Sequence, residues 1–319
     1  MALITIFTAP KPFTDPHIAT IQRNAIRSWL ALRPEVDVLL IGEEKGMAEA
    51  AAELGVRQLP EVERNAMGTP LVSSMFELAR RNSTSPLLSC VNADVMLLPD
   101  FIQAARMVRE QAQRFLIVGQ RWDLKVTEEL DFRTGWDKDL RNRLTSQGRL
   151  HKATGSDYFI FPRECFTDMP RFAIGRAGWD NWMIYAGRVH GWKVVDASQA
   201  ITVIHQDHDY SHLPGGQPHY RLPETGENVR LAGGRMAIFE LRDASHNLVD
   251  GRLKRKPLSW RRLWREVEIF PLVRLNSSIL GKIFYAIFHP IKAYRDIRRG
   301  GEGAQRAADF ENAQVSKDG

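Results

Sequence analysis

With 319 residues, 44% of them hydrophobic, the chain can bury a substantial core and has room for one large or two modest domains. Its formal charge of +6 is unevenly placed: residues 252–299 carry thirteen Lys/Arg against Glu266, Glu268 and Asp296, an excess of +10 that leaves −4 for the rest. A near-neutral to acidic body with a basic tail argues against general nucleic-acid binding and for an anionic partner at one place.

In chain order, residues 3–8 are a β-branched run that predicts a strand, broken by Ala9-Pro10-Lys11-Pro12-Phe13. Asp15-Pro16 then supplies a cap and a proline for the first helical turn, and Ile18, Ile21, Ala25, Ile26 and Trp29 follow at helical spacing. A strand at 36–41, a short helix at 47–54, a strand at 56–59, a helix at 71–80 and a strand at 87–91 continue the alternation. Beyond them we expect a helix at 101–113, a strand at 115–119, a short helix near 137–145, a strand at 157–161, a helix at 180–190 and strands at 193–195 and 201–204. Strand–helix alternation of this kind builds a parallel, doubly wound sheet. Residues 205–234 are polar and rich in His, Gly and Pro, which predicts a loop closing over a site.

Other classes are excluded more simply. Cys90 and Cys165 stand in apolar contexts that suit reduced, buried thiols, not a disulfide or a zinc site. Residues 1–8 carry no leader signature, and there is no run of about 18 uncharged apolar residues, so a cytoplasmic protein without a spanning helix is expected.

The most informative segment is Asn92-Ala93-Asp94, set between the apolar runs Leu87-Leu88-Ser89-Cys90-Val91 and Val95-Met96-Leu97-Leu98. An uncharged first run predicts a strand buried on both faces, which places Asp94 at the carboxyl edge where open α/β sheets bind ligands. Its carboxylate is a hard oxygen donor of the type that Mg²⁺ or Mn²⁺ prefers. The same three residues also read as an Asx turn between two strands.

On this motif and its setting, the stretch from Ile4 to about His208 resembles the GT-A fold of nucleotide-sugar glycosyltransferases, in its family-2-like bacterial form. The resemblance implies a mostly parallel, Rossmann-related α/β sheet flanked by helices, expected over residues 1–250; charge and composition alone add a basic helical extension over 251–300 and a disordered tail over 301–319. It implies transfer of a sugar from a nucleotide-diphosphate donor to a hydroxyl of a glycan or lipid-linked acceptor, with Mn²⁺ or Mg²⁺ as cofactor. Asp94 matches the metal-ligating second acid of that family's Asp-x-Asp, whereas Asn92 departs from the first. Uncharged Asn92 keeps open a second reading, a catalytically silent module of the same fold that binds nucleotide-sugar or glycan. A sugar-phosphate nucleotidyltransferase is disfavoured, because Ala9-Pro10-Lys11-Pro12 stands where such enzymes carry Gly-x-Gly-x-Arg.

Further residues follow from the resemblance. Thr8, Ala9, Pro10 and Lys11 end the first strand, where the nucleotide is cradled, and Lys11 suits phosphate; the turn alone would also explain the prolines. Asn65, Thr69 and Pro70 precede a helix whose free amides suit a diphosphate, or they simply cap it. Asp180 matches the acid that serves inverting members as general base, and equally reads as a helix cap. Trp179 and Trp182 beside it offer faces for a sugar ring, and Asp157, after Thr154-Gly155-Ser156, is a second acceptor-side candidate. In His205-Gln206-Asp207-His208-Asp209-Tyr210-Ser211-His212, His208 is the first choice for a histidine metal ligand and His205 the second. Arg121-Trp122-Asp123 follows a strand toward the same edge.

In the tail, Trp260, Leu263, Trp264 and Val267 recur at helical spacing beside Arg261, Arg262 and Arg265, and the apolar residues 279–288 are too few to span a bilayer. The pattern fits an interfacial helix on the anionic inner face of the cytoplasmic membrane, or a helix packed on the body with solvated arginines.

Overall fold

The fold is that of a computed structural model, which describes residues 1–153, 155–208 and 222–296. Thr154, the histidine-rich run from Asp209 onward and the 301–319 tail lie outside the described residues. The chain divides into two units, Met1–Pro257 and Leu258–Gly319.

The first unit runs β1 (Ile4–Thr8), α1 (Pro16–Leu30), β2 (Val36–Ile41), α2 (Met47–Leu54), β3 (Arg57–Leu59), α3 (Val72–Arg81), β4 (Leu87–Val91), β5 (Val95–Leu97), α4 (Asp100–Gln111), β6 (Phe115–Val118) and β7 (Trp122–Leu124). It continues through α5 (Trp136–Gln147), β8 (Arg149–Leu150), β9 (Tyr158–Pro162), α6 (Trp179–Val189), β10 (Lys193–Asp196), β11 (Val203–Gln206), α7 (Pro223–Leu231), β12 (His246–Val249) and β13 (Arg252–Arg255). The main sheet has the order β13-β12-β10-β6-β9-β4-β1-β2-β3. Its pairs are parallel except those of β9 with β4 and β6 and the β12–β13 hairpin. This is the large, mostly parallel sheet flanked by helices that the alternation predicts.

Every residue of β1, β4, β6 and β9 is buried, as continuous apolar runs between two helical layers must be. The one hydroxyl at the centre of β1, that of Thr5, bonds to Ser83 at 2.7 Å and Ser85 at 2.9 Å, so burying it leaves no polar group unmatched. Asp15 caps α1 by accepting the Ile18 N–H at 2.9 Å. The Trp29 indole, fully buried, donates to the Val95 carbonyl at 2.9 Å and ties α1 to β5. Truncating it to alanine removes a core aromatic and costs about 3–5 kcal/mol.

Three departures from the sequence reading position the site. The strand expected at 201–204 lies at 203–206 and leaves the main sheet for a smaller one, β5-β11-β7-β8, built partly from residues 95–97 and 122–124. Residues 223–231, expected as loop, form α7, started by Pro223. The first unit closes at Pro257 and not at residue 250, because β12 and β13 pair across Asp250-Gly251, whose φ angles of 52° and 72° make the tight hairpin turn that Asp-Gly favours.

Candidate active site

At the carboxyl edge of the main sheet, β4 ends and the chain turns through Asn92-Ala93-Asp94 into β5 of the smaller sheet. Gln206, fully buried at the end of β11, donates its backbone N–H to the Asp94 carbonyl at 3.1 Å and its side-chain amide to the Ile21 carbonyl at 2.7 Å. This fixes the turn against α1. Within the smaller sheet His205 pairs with Val95 on one side and Asp123 on the other, which sets it beside Asp123 and one residue along from Asp94.

Four predicted residues meet there. The Asp94 carboxylate, 8% exposed, lies with one oxygen 3.0 Å from His208 Nε2 and 3.5 Å from Lys11 Nζ, and with the other 4.0 Å from His205 Nε2. Lys11 reaches the cluster because the buried Gln22 side chain clasps its backbone, accepting its N–H at 2.6 Å and donating to its carbonyl at 3.0 Å. Burial alone would raise the Asp94 carboxyl. The hydrogen bond to His208 and the charges of His205 and Lys11 outweigh it and hold the group well below the ordinary carboxylate range. Burial lowers the His205 imidazole, but the Asp207 and Asp94 carboxylates carry it upward.

Two buried atoms of the cluster, Asp94 Oδ1 and His205 Nδ1, have no hydrogen-bond partner. Asp94, His205 and His208 each present a ligating atom within 4.8 Å of the others. One carboxylate and two imidazoles, with a buried carboxylate oxygen left unmatched, fit a divalent cation that also takes oxygen ligands from a diphosphate.

Behind this cluster lies a second layer of charge. Asp123, 3% exposed, accepts from Arg121 at 3.0 Å, Arg149 at 3.0 Å and His151 at 2.8 Å, and stands 3.7 Å from His205 Nδ1. Arg121 also donates to Asp157 at 2.7 Å, and the same Asp157 oxygen accepts the Asn92 side-chain N–H at 2.7 Å. Asn92 is therefore turned to Asp157, not to Asp94. An aspartate in its place would set two carboxylates at hydrogen-bond distance.

Asp180 sits in the first turn of α6, two residues past the cap at Gly178, so it is not itself the helix cap. It accepts the Gly178 N–H at 3.2 Å, beside a backbone whose positive φ of 111° at Gly178 disfavours any residue with a side chain. Burial pushes the Asp180 carboxyl up to about 6, opposed by backbone N–H groups of Asn181 and Gly178 and reinforced by the Asp157 charge. A carboxylate poised there takes a proton near neutral pH.

The remaining expectations fare differently. Thr8 and Pro10 are buried at the end of β1, leaving Ala9 and Lys11 as the accessible side chains of that turn. Asn65 donates to Glu224 at 2.6 Å and accepts the Met67 and Thr69 N–H groups at 2.9 and 3.0 Å. Asn65 thus holds its turn against α7, with Thr69 bonded to it through its backbone N–H. Trp179, 5% exposed, packs its ring on Phe159 in the core, where it offers no open face to a sugar, whereas Trp182 leans edge-on against Phe172 and stays half-buried. At the first position of α6, the Trp179 indole turns inward onto β9. Asp123 and Arg121 emerge as more central than their sequence suggested. Their signal was the i, i+2 spacing of two charges on a short strand.

No protein-family profile and no curated protein matches the chain. Among solved structures it is similar to Mycobacterium tuberculosis glucosyl-3-phosphoglycerate synthase, at 18% identity and a TM-score of 0.45 over 81% of this chain and 88% of that one. The same synthase in complex with Mg²⁺ and uridine diphosphate overlaps at 15% identity and 0.40, over 66% and 74%. Staphylococcus aureus TarS 1–349 overlaps at 9% identity and 0.40, over 73% of this chain and 64% of that one. Likeness this distant assigns no substrate and no residue role.

Proposed function

We propose that this chain is a metal-dependent glycosyltransferase of the GT-A type, moving a sugar from a nucleotide-diphosphate donor to a hydroxyl of a glycan or lipid-linked acceptor with inversion. The observation that carries the reading is the Asp94–His205–His208 cluster, linked through Asn92 to Asp157, whose charge in turn acts on Asp180, a carboxyl raised to about 6. Asp94, His205 and His208 would hold Mn²⁺ or Mg²⁺. Such an ion, when bound, neutralises the charge that builds on the diphosphate as the sugar–oxygen bond breaks.

The chain's own residues do the rest. Lys11 Nζ, 3.1 Å from His208 Nε2, places a positive charge where the leaving phosphate departs. Asp180 takes the proton from the acceptor hydroxyl as its oxygen attacks the sugar from the face opposite the diphosphate. Asp157, beside Asp180, keeps that base from being too weak, since its negative charge disfavours a second one nearby. Asn92 and Arg121 in turn hold Asp157.

The test is hydrolysis of a panel of nucleotide-diphosphate sugars by the whole chain, with Mn²⁺ and with chelator. Release of nucleotide that requires the metal supports the reading. Metal-dependent binding without any release, across donors and candidate acceptors, favours the silent binding module instead.

A further inference from the structure

The helices beyond Pro257 each leave an apolar row exposed, although α8 also buries Ile269 and Leu272. In α8 (Trp260–Val273), Trp260, Leu263, Trp264, Val267 and Phe270 fall on one arc by their spacing, and all five are exposed, Trp260 at 72%. The opposite face carries half-buried ion pairs, Arg262 with Glu266 at 3.1 Å and Arg265 with Glu268 at 2.6 Å. In α9 (Ser278–Phe288), Ile279, Ile283 and Ile287 form a second exposed row at i, i+4. The two helices pack on each other, with Trp264 against Phe288 and His289 Nε2 2.9 Å from Glu268. Ser259 and Ser277 cap them.

An ordinary hairpin in water would turn these rows inward. Here the acids Glu266 and Glu268 are the groups neutralised inside, while Arg261, Arg274, Lys282, Lys292 and Arg295 are exposed without an ion pair among the described residues. We infer that this helical hairpin docks in the headgroup region of an anionic phospholipid bilayer, with the two apolar rows in the acyl boundary and the free cations on the phosphates. Charge decides among the possible occupants. A second copy would bring one strongly basic face against another, whereas an anionic bilayer neutralises it. Length sets the mode: among the described residues no helix is long and apolar enough to cross a membrane, so the hairpin lies in the interface. The inference stands apart from the proposed transfer reaction, since it uses none of that site's residues.

The experiment is co-sedimentation of the full chain with vesicles of mixed phosphatidylglycerol and phosphatidylcholine, against phosphatidylcholine alone, at low and high salt. The full chain is expected to partition at least tenfold more strongly onto the anionic vesicles, less so at high salt. A Trp260→Glu/Trp264→Glu/Ile283→Glu variant should lose at least tenfold of that partition while its donor hydrolysis stays unchanged, and so should Arg261→Glu/Arg274→Glu/Lys282→Glu. Anionic-vesicle binding by both variants equal to that of the full chain, or no vesicle binding by the full chain, overturns the inference. A lipid-free dimer seen by light scattering and dissolved by the first variant overturns it too, assigning the rows to a second copy.

Discussion

Two of the first unit's acid-centred clusters, one around Glu224 in α7 and one around Asp94 after β4, differ in one respect. Around Glu224, 6% exposed, Asn65 and Arg176 both donate at 2.6 Å, and Asn228 closes the same region by bonding to both backbone groups of Ala173 at 2.9 and 3.0 Å. Every buried side-chain polar atom in that cluster has its partner. Around Asp94 the charges are just as close, yet Asp94 Oδ1 and His205 Nδ1 are buried without one. An unmatched buried polar atom costs about 1–3 kcal/mol. Ser89, Asp100 and Tyr158 each carry one such atom singly, whereas Asp94 and His205 carry theirs within one group of potential metal ligands. Under the proposed function, a bound cation would supply the partner that the second cluster lacks.

The sharpest way to break this contrast is Asp94→Ala. It deletes a proposed ligand and also the carboxylate that His208, His205 and Lys11 surround, so thermal unfolding should shift down, and turnover measured well below that shifted midpoint should still fall by about a thousandfold or more. Hydrolysis of donor by that variant at the wild-type rate would make the two clusters equivalent.

Asp180→Asn should leave donor binding intact and lower turnover by roughly a hundredfold or more, the scale of a lost general base. Since Asp180 acts only when ionised, the wild-type rate should fall as pH drops through about 6, and the variant should lack that limb. The stability sign is opposite. A carboxyl raised by folding contributes stability that is complete below its unfolded value of about 4 and is lost as pH rises through its folded value near 6. The asparagine variant should therefore melt higher than wild type at pH 8 and converge with it below pH 4. Scanning calorimetry reads this directly.

Glu224→Ala probes the other side of the comparison. It strands Arg176 and Asn65, so unfolding free energy should drop by about 1–3 kcal/mol with metal affinity unchanged. Loss of metal affinity as large as that of Asp94→Ala would erase the distinction.

The smallest effect is expected from Asn92→Asp. Restoring the acid faces it with Asp157, so urea unfolding at pH 7 should show a loss of about 1–2 kcal/mol that shrinks on acidification. Metal affinity should not improve. A gain in affinity would mean that Asn92 is a weakened ligand after all.

Much of this was legible before any coordinates. The alternation of residues 3–118 specified the parallel sheet, because buried strands with no charge and helices with one apolar stripe fit together in few ways. Asp94, Lys11, His205 and His208 were found because chemistry-bearing side chains stood at strand ends. What escaped were short elements whose pairing is set by tertiary context. Residues 95–97 and 122–124 are three-residue strands, and 203–206 joins a different sheet from the one its apolar character suggested. The surroundings of Asn65 and Trp179 are not legible for a related reason: amides and indoles serve as well in packing as in binding, and only their neighbours, Glu224 and Phe159, decide where they lie. The Asp250-Gly251 turn stands in the sequence as a hairpin signal and carries the first unit on through β13 to Pro257.

The central claim is that Asp94, His205 and His208 together hold a divalent ion, and Mn²⁺ titration followed by electron paramagnetic resonance tests it without reference to turnover. In the presence of a nucleoside diphosphate, the wild-type chain should take up a single ion, and Asp94→Ala and His205→Ala should each weaken that uptake by about a hundredfold. Wild-type protein that binds no Mn²⁺ under these conditions, or variants that bind it as tightly as wild type, would contradict the account.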